Sequence, residues 1–184
     1  MKRQRQAALL LMLGGAWQTW AATDPCPALL SYSAEPLQGG APVDFCSAYR
    51  GKVILAVNTA SQCGYTPQLK GLETLYQTYR ARGLVVLGFP SGDFNQEHDN
   101  PADTARVAIG DYGVTFPLFA SSAVSGARAN GFFKALEQAS GKAPQWNFQK
   151  YLIDRKGKVV TVFPAQVAPD DLLLRGAIEA ALAE

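Results

Sequence analysis

The sequence is poor in the residues that hold metals or form dithiol centres. Its 184 residues include one histidine, His98, and three cysteines, and no cluster of metal-ligating side chains is evident. Cys63 is followed by Gly64, Tyr65 and Thr66, so it is not part of a C-x-x-C motif. Dithiol exchange within one loop is therefore excluded, and no cysteine follows residue 63 at all.

The chain also lacks an apolar run long enough to cross a membrane. Residues 1–22 combine a basic start at Lys2, Arg3 and Arg5 with an apolar run of about eleven residues and then small residues, which is typical of a cleaved signal peptide. A spanning helix needs about 20 apolar residues. We therefore expect residues 23–184 to form a soluble exported protein without membrane insertion after cleavage, periplasmic in a Gram-negative bacterium.

The sequence also lacks an excess of positive or negative charge. Three of the 17 basic residues and none of the 15 acidic residues lie in residues 1–22, which leaves 14 against 15 and a formal charge of −1. This balance gives no reason to expect nucleic acid or an anionic membrane as a partner. The remaining length of about 160 residues predicts one domain with a substantial core.

An odd number of cysteines in an exported chain indicates one disulfide and one free thiol. Cys26 and Cys46 flank the segment LLSYSAEPLQGGAPVDF, which predicts two short strands around a turn at residues 38–40. A hairpin brings its ends together, so we predict a disulfide between these two cysteines, which would stabilise the fold by about 3 kcal/mol. Cys63 is then the free thiol, although the sequence alone leaves other pairings open.

Two buried strands with a helix between them are predicted around Cys63. KVILAVNTA and LVVLGF are apolar, β-branched runs typical of strands buried on both faces. Between them, leucines and tyrosines recur at helical spacing, with Thr66 predicted as N-cap, Pro67 as the first helical residue and Gly83 as the C-cap. Residues 53–89 should form a βαβ unit with parallel strands.

The rest of the chain completes an α/β domain. A short helix near residues 104–111, the extended segment VTFPLF and a helix over residues 129–138 come first. FQKYLID and KVVTVF then predict two strands, followed by a helix over residues 169–182. This order predicts a thioredoxin-like α/β fold, with a central mixed sheet flanked by helices and an N-terminal β-hairpin.

Cys63 is placed where reactive groups collect in such folds. It is expected at the carboxyl end of the first buried strand and just before a helix, where free N–H groups favour an anion. A lone cysteine is also often a small buried core residue. The polar or small neighbours Gln62, Gly64 and Thr66 favour the reactive interpretation.

Four blocks of the sequence, in order, resemble the glutathione peroxidase family. GKVILAVNTASQCGYTPQLKGLETLY resembles the segment in which a cysteine or selenocysteine follows N-x-A-S. GLVVLGFPSGDFNQE resembles the block L-G-F-P-x-N-x-F-G-x-Q-E, VTFPLF the phenylalanine-proline segment, and WNFQKYLIDRKGKVV the tryptophan-asparagine block. Together they cover about residues 45–180.

The resemblance implies a catalytic tetrad of Cys63, Gln96, Trp146 and Asn147. The last three offer uncharged N–H donors that can bind a thiolate and a peroxide oxygen. The implied activity is reduction of hydrogen peroxide or organic hydroperoxides through a sulfenic acid at Cys63, without a metal or organic cofactor. Each partner alone has another interpretation: Trp146 as a core aromatic residue, Gln96 as a solvated loop residue and Asn147 as a turn former.

The sequence departs from the family pattern near Gln96 and in its cysteines. GDFNQE is one residue shorter than the family's N-Q-F-G-x-Q-E, and Ser91 stands where many members have cysteine. With no later cysteine to resolve a sulfenate at Cys63, we expect an external thiol reductant, glutathione or a thioredoxin-like protein, unless a reduced Cys26 or Cys46 serves.

Two other functions stay open at this point. One is a thiol-disulfide oxidoreductase or peroxide sensor that passes oxidation to a partner protein, and the other is a non-catalytic binding module. His98 is interpreted as a surface residue. The basic residues nearest the site, Lys70, Arg106 and Lys150, are too scattered in the sequence to predict a carboxylate-binding pocket.

Overall fold

A four-stranded sheet forms the centre of the fold in the computed structural model, which describes residues 25–184. The strands are β1 (Ser33–Ala34), β2 (Val43–Asp44), β3 (Val53–Thr59), β4 (Leu84–Pro90), β5 (Lys150–Ile153) and β6 (Val159–Phe163). The helices are α1 (Phe45–Tyr49), α2 (Gln68–Tyr79), α3 (Pro101–Ala105), α4 (Gly131–Ser140) and α5 (Leu172–Ala183). A π-helical segment, Arg106–Asp111, continues α3. The signal peptide predicted for residues 1–22 lies outside the described residues.

The sheet is mixed, with the strand order β4-β3-β5-β6. β3 is parallel to β4, and β5 is antiparallel to both β3 and β6. Every residue of β3 and β4 is buried, as the apolar runs predict for strands covered on both faces. The predicted βαβ unit, the ββα unit after it and the thioredoxin-like fold class are confirmed.

The two faces of the sheet pack against different helices. One face, which includes Leu55 and Val57, packs against α2 and α5 in a core that also contains Cys63. The other face, which includes Ile54 and Ala56, packs against α1 and α4. The free thiol therefore belongs to the side of the sheet that α2 and α5 cover.

An N-terminal hairpin and a disulfide precede the sheet. β1 and β2 are antiparallel, with Ser33 opposite Asp44, as the sequence predicts. Cys26 and Cys46 form a disulfide with a Cα–Cα distance of 5.9 Å. Among residues 25–184, Cys63 is the free cysteine.

The start of α2 differs from the prediction. α2 begins at Gln68, with Pro67 before it, so the prediction that Thr66 caps a helix beginning at Pro67 is wrong. The Thr66 hydroxyl instead accepts the N–H of Cys63 at 3.0 Å and donates to the carbonyl of Ala60 at 2.8 Å. It therefore stabilises the Cys63 loop and not the first turn of the helix.

Side-chain caps make two other helices begin later than predicted. The carboxylate of Asp171 accepts the N–H of Leu173, so α5 begins at Leu172. The side-chain oxygen of Asn130 accepts the N–H of Phe133 in the same way at the start of α4.

Within residues 25–184, no helix combines the length and apolar character needed to span a bilayer.

The segment VTFPLF lies beside β4 without forming a regular strand. Leu118 is bridged to Gly88, and a Cβ at residue 88 would lie 2.5 Å from Leu118 Cδ2. A side chain at this position would displace the Leu118 side chain, so glycine permits the close approach. The predicted extended conformation is present, but its pairing is limited to single bridges.

Candidate active site

Cys63 lies in the turn that joins the carboxyl end of β3 to α2. Its side chain is 7% exposed and packs against the core. Its Sγ accepts a hydrogen bond from the N–H of Tyr65 at 3.4 Å. The sequence left open whether Cys63 is a buried core residue or a thiol in contact with hydrogen-bond donors. In the structure it is both, because its side chain is buried and its sulfur faces a backbone donor.

The N–H that contacts Sγ belongs to the turn and not to α2. Four residues separate Cys63 from Gln68, where the helix begins. The donor expected from a helix N-terminus is therefore supplied by the amide of Tyr65, while the hydroxyl of Thr66 holds the N–H of Cys63. A backbone N–H aimed at sulfur stabilises negative charge on it.

Gln96 and Asn147 are in direct contact. Asn147 Nδ2 donates to Gln96 Oε1 at 3.0 Å, and Asn147 is fully buried. Asn147 Oδ1 is also buried and has no hydrogen-bond partner within the described part of the chain. If both amides are reversed, Gln96 donates to Asn147 and the free group becomes an N–H₂ donor. In either orientation Asn147 keeps one free polar group.

The backbone connects this pair to the Cys63 loop. The N–H of Gln62, the residue before Cys63, donates to the carbonyl of Gln96 at 2.9 Å. Gln62 Nε2 also lies 3.2 Å from His98 Nδ1. The loop that carries Gln96 is therefore fixed beside the loop that carries Cys63.

A left-handed residue lets the shortened loop reach this position. Asn95 has a φ of 56°, a conformation that asparagine adopts more readily than most residues. Its N–H donates to the carbonyl of Gly92 at 2.9 Å and closes a tight turn. Asp93, in the same loop, binds the loop to another segment of the chain, because its Oδ2 accepts the N–H groups of Val124 and Ser125 at 2.7 and 2.9 Å.

Trp146 is 43% exposed, which rules out the interpretation as a core aromatic residue. Its ring packs against Phe94, with 5.4 Å between the ring centroids. Among the residues described, the hydrogen bond to Cys63 Sγ comes from Tyr65, and none comes from Gln96, Trp146 or Asn147. The structure thus joins Gln96 to Asn147 and to the cysteine loop. The indole of Trp146, the residue before Asn147, lies at the surface.

Asn58 holds the turn that carries Trp146 and Asn147, a role that the sequence reasoning missed. Its Nδ2 donates to the Trp146 carbonyl at 3.0 Å, and its Oδ1 accepts the N–H of Gln149 at 3.1 Å. Its own carbonyl accepts the N–H of Phe148 at 2.6 Å. The available signal was a polar residue inside the apolar run of β3.

Lys150 is a second buried polar residue next to this turn. It is fully buried, and its Nζ donates to the carbonyls of Phe148 at 2.8 Å and Ala165 at 3.4 Å. Burial lowers the pKa of Lys150 from 10.5 to about 7. The sequence alone had presented it as one of several scattered basic residues.

No group of three or more His, Cys, Asp and Glu side chains within residues 25–184 is arranged to hold a metal ion. The polar groups near Cys63 are backbone amides and uncharged side chains. Such groups can stabilise a thiolate and a developing oxyanion without changing their own protonation state.

Comparison with known proteins identifies the family and several relatives of this chain. The sequence model of the family described as glutathione peroxidase matches residues 29–137. A relative from Schizosaccharomyces pombe, named glutathione peroxidase-like peroxiredoxin gpx1, is 42% identical over 138 residues, which are 72% of this chain and 87% of that protein. A relative from Synechocystis, named hydroperoxy fatty acid reductase gpx1, is 43% identical over 155 residues, or 78% of this chain and 90% of that protein.

Among solved structures, the crystal structure of T. cruzi GPX1 matches with a TM-score of 0.66 and 27% identity. The match covers 84% of this chain and 96% of that one. The family match spans more than half of the chain and the relatives span most of it. The chain belongs to the glutathione peroxidase family.

Proposed function

We propose that this chain is a thiol-dependent peroxidase that reduces hydrogen peroxide or organic hydroperoxides through a sulfenic acid at Cys63. Family membership and the names of the relatives, which include peroxiredoxins and a hydroperoxy fatty acid reductase, support peroxide reduction. They favour it over transfer of oxidation to a partner protein. Three observations support the assignment of the site. Cys63 is the free thiol of the described residues, the N–H of the preceding Gln62 is bonded to the carbonyl of Gln96, and the side chain of Gln96 is bonded to Asn147.

The first half of the reaction consumes the peroxide. The Cys63 thiolate attacks one oxygen of the O–O bond, so an S–O bond forms and the O–O bond breaks. Sulfur is oxidised to the sulfenic acid, and the leaving oxygen takes up a proton and departs as water or an alcohol. The N–H of Tyr65 stabilises the thiolate before the attack.

Gln96, Trp146 and Asn147 are assigned to the leaving oxygen. The observation that carries this assignment is the fully buried Asn147, whose side chain contacts Gln96 and keeps one polar atom without a partner. A buried polar atom without a partner costs about 1–3 kcal/mol. We assign the orientation in which Gln96 donates to Asn147, so that the free N–H₂ of Asn147 would donate to a peroxide oxygen bound beside it and would stabilise the charge that develops on that oxygen.

The second half of the reaction needs an external thiol. Cys26 and Cys46 are disulfide-bonded, and no cysteine follows residue 63. One thiol attacks the sulfenic sulfur and releases water, and a second thiol reduces the resulting mixed disulfide, so two thiols supply the two electrons. Glutathione or a thioredoxin-like protein has the required chemistry. We propose that the reaction takes place outside the cytoplasm, and in the periplasm if the organism is a Gram-negative bacterium; residues 1–22 and the disulfide support this location.

A coupled assay tests this proposal. Peroxide consumption is followed through NADPH oxidation, once with glutathione and glutathione reductase and once with thioredoxin and thioredoxin reductase. We expect turnover with at least one system and no turnover for Cys63→Ser. Turnover that survives Cys63→Ser would show that the site is wrong, and absence of turnover with both systems and with both peroxide classes would contradict the function.

A further inference from the structure

The turn formed by Trp146, Asn147 and Phe148 carries two of the proposed catalytic residues in an unfavourable backbone conformation. Phe148 has a φ of 66°, in the left-handed region that a bulky residue rarely adopts. Such a conformation persists only when the surrounding structure fixes it. Any relaxation at Phe148 would move the side chain of Asn147 relative to Gln96.

Both polar backbone groups of Phe148 are held by neighbouring strands. Its N–H donates to the carbonyl of Asn58 in β3 at 2.6 Å. Its carbonyl accepts from Lys150 Nζ of β5 at 2.8 Å. Lys150 therefore supplies one of the two hydrogen bonds that hold the backbone of Phe148.

Lys150 also connects the turn to the start of α2. Its Nζ donates to the carbonyl of Ala165 at 3.4 Å, and the same carbonyl accepts Gln68 Nε2 at 2.8 Å. Gln68 is the first residue of α2, directly after the turn that holds Cys63. The lysine thus lies between the Trp146–Asn147–Phe148 turn and the segment that follows the reactive cysteine.

Fold stability alone does not account for a lysine at this position. Lys150 is fully buried, and no carboxylate of residues 25–184 lies within ion-pair distance of it. A buried amine without an acidic partner is less favourable than an apolar side chain of similar volume. An apolar side chain could not make the hydrogen bonds to the carbonyls of Phe148 and Ala165, of which the bond to Phe148 is the shorter.

We propose that Lys150 is a positioning residue for peroxide reduction, which holds the Phe148 carbonyl and thereby fixes Trp146 and Asn147 for the leaving oxygen. This inference rests on the proposed function. The lysine itself does not touch the peroxide or transfer a proton. Its contribution appears in the step that uses Trp146 and Asn147 and not in the reactivity of the thiolate.

Two reactions of Cys63 separate these effects. Oxidation by excess hydrogen peroxide in a single turnover needs both the thiolate and the donors to the leaving oxygen. Alkylation by iodoacetamide needs the thiolate and access to it but not those donors. Both rates are measured on the full chain for the wild type, for Lys150→Met, which keeps the length of the side chain, and for the exposed control Lys156→Met.

We expect Lys150→Met to slow oxidation by about tenfold or more, since small misplacements of catalytic groups are costly, while alkylation changes by less than about twofold. The urea unfolding midpoint should not fall. Lys150→Arg, which keeps an N–H donor on a long stem, should recover part of the rate. Lys156→Met should leave both rates unchanged.

An unchanged oxidation rate in Lys150→Met would overturn the inference. So would an equal loss of oxidation and alkylation, because the lysine would then act on the thiolate or on the fold. If Lys150→Met does not fold, Lys150→Leu, which also removes the N–H donor, is measured in the same way, and an oxidation rate equal to that of the wild type would overturn the inference. A wild type that fails to react with peroxide would instead contradict the proposed function.

Discussion

Gln96 and Asn147 are 51 residues apart in the sequence, and their side-chain amides are joined by a hydrogen bond of 3.0 Å. Gln96 lies on the loop after β4, and Asn147 lies in the turn that precedes β5. The contact exists although the loop before Gln96 is one residue shorter than the family pattern. It defines a polar pair in which Asn147 is fully buried, and a backbone hydrogen bond joins Gln96 to the residue before Cys63, the only free thiol of residues 25–184.

This pair leads to the first prediction. Replacing Asn147 by Ala should lower the rate of Cys63 oxidation by about 10²–10³-fold, because one donor to the developing oxyanion is lost. Gln96→Ala should lower it in the same direction, since the contact that orients Asn147 is removed. Stopped-flow measurement of oxidation by hydrogen peroxide checks both variants.

Gln62→Ala is the matched control for Gln96→Ala. The Gln62 side chain is exposed and contacts His98, while its backbone N–H, which holds Gln96, is unaffected by the substitution. Its oxidation rate should stay within about twofold of the wild type, since exposed substitutions usually have small effects. An equal loss in Gln62→Ala and Gln96→Ala would show that the effect is not specific to the pair.

The second prediction concerns the hydroxyl of Thr66. Thr66→Val keeps the shape of the side chain but removes the acceptor for the Cys63 N–H and the donor to the Ala60 carbonyl. We expect a loss of about 1–3 kcal/mol in the free energy of unfolding and slower oxidation of Cys63. Thr66→Ser keeps the hydroxyl and should retain most of the oxidation rate. Equal rates in the two variants would contradict the role of this hydroxyl.

The third prediction separates the two kinds of cysteine. The double variant Cys26→Ser with Cys46→Ser should lose about 3 kcal/mol of stability, because the loop of 20 residues is no longer closed. Its peroxide oxidation rate should stay near that of the wild type when measured well below its unfolding temperature. A loss of oxidation without unfolding would mean that the disulfide takes part in the reaction.

The fourth prediction concerns stability and pH at Lys150. Burial lowers the pKa of this lysine to about 7, from 10.5. Between these values the unfolded chain binds more protons than the folded chain, so the free energy of unfolding rises with pH. The contribution is complete above pH 10.5 and is lost as the pH falls through 7.

Between pH 6 and pH 9, this rise amounts to about 2–3 kcal/mol. It is measured by urea unfolding as the difference between the wild type and Lys150→Met, so that titration of other groups cancels. The exposed control Lys156→Met should follow the wild type. A constant difference between wild type and Lys150→Met across this range would contradict the lowered pKa.

Much of the fold could be predicted from the sequence because it depends on repeated apolar patterns. The strands β3 and β4 are continuous apolar runs, and the position of Cys63 follows from the end of one run. Helix starts were less predictable, since they depend on which polar side chain actually caps. Thr66 has the right chemistry for a cap, yet its hydroxyl binds the Cys63 loop.

The residues that support the site were hidden for a different physical reason. Asn58 and Lys150 lie in strands, where a single polar residue has little weight against the surrounding apolar pattern. The role of Asn58 depends on contacts with a turn about 90 residues later in the chain, which no local pattern reports. The role of Lys150 depends on its burial and on the direction of its side chain toward the carbonyls of Phe148 and Ala165. The family resemblance predicted the four candidate residues, but the contacts that Gln96 and Asn147 make could be seen only in the fold.

The central claim is that Cys63 reduces peroxide, and a single-turnover experiment tests it most directly. The full chain, with Cys63 reduced, is treated with one equivalent of an organic hydroperoxide, and the sulfenic acid is trapped with dimedone. We predict one trapped adduct per chain, located at Cys63 by mass spectrometry, and one equivalent of the corresponding alcohol. Consumption of the hydroperoxide without an adduct at Cys63, or no consumption at all, would contradict the claim.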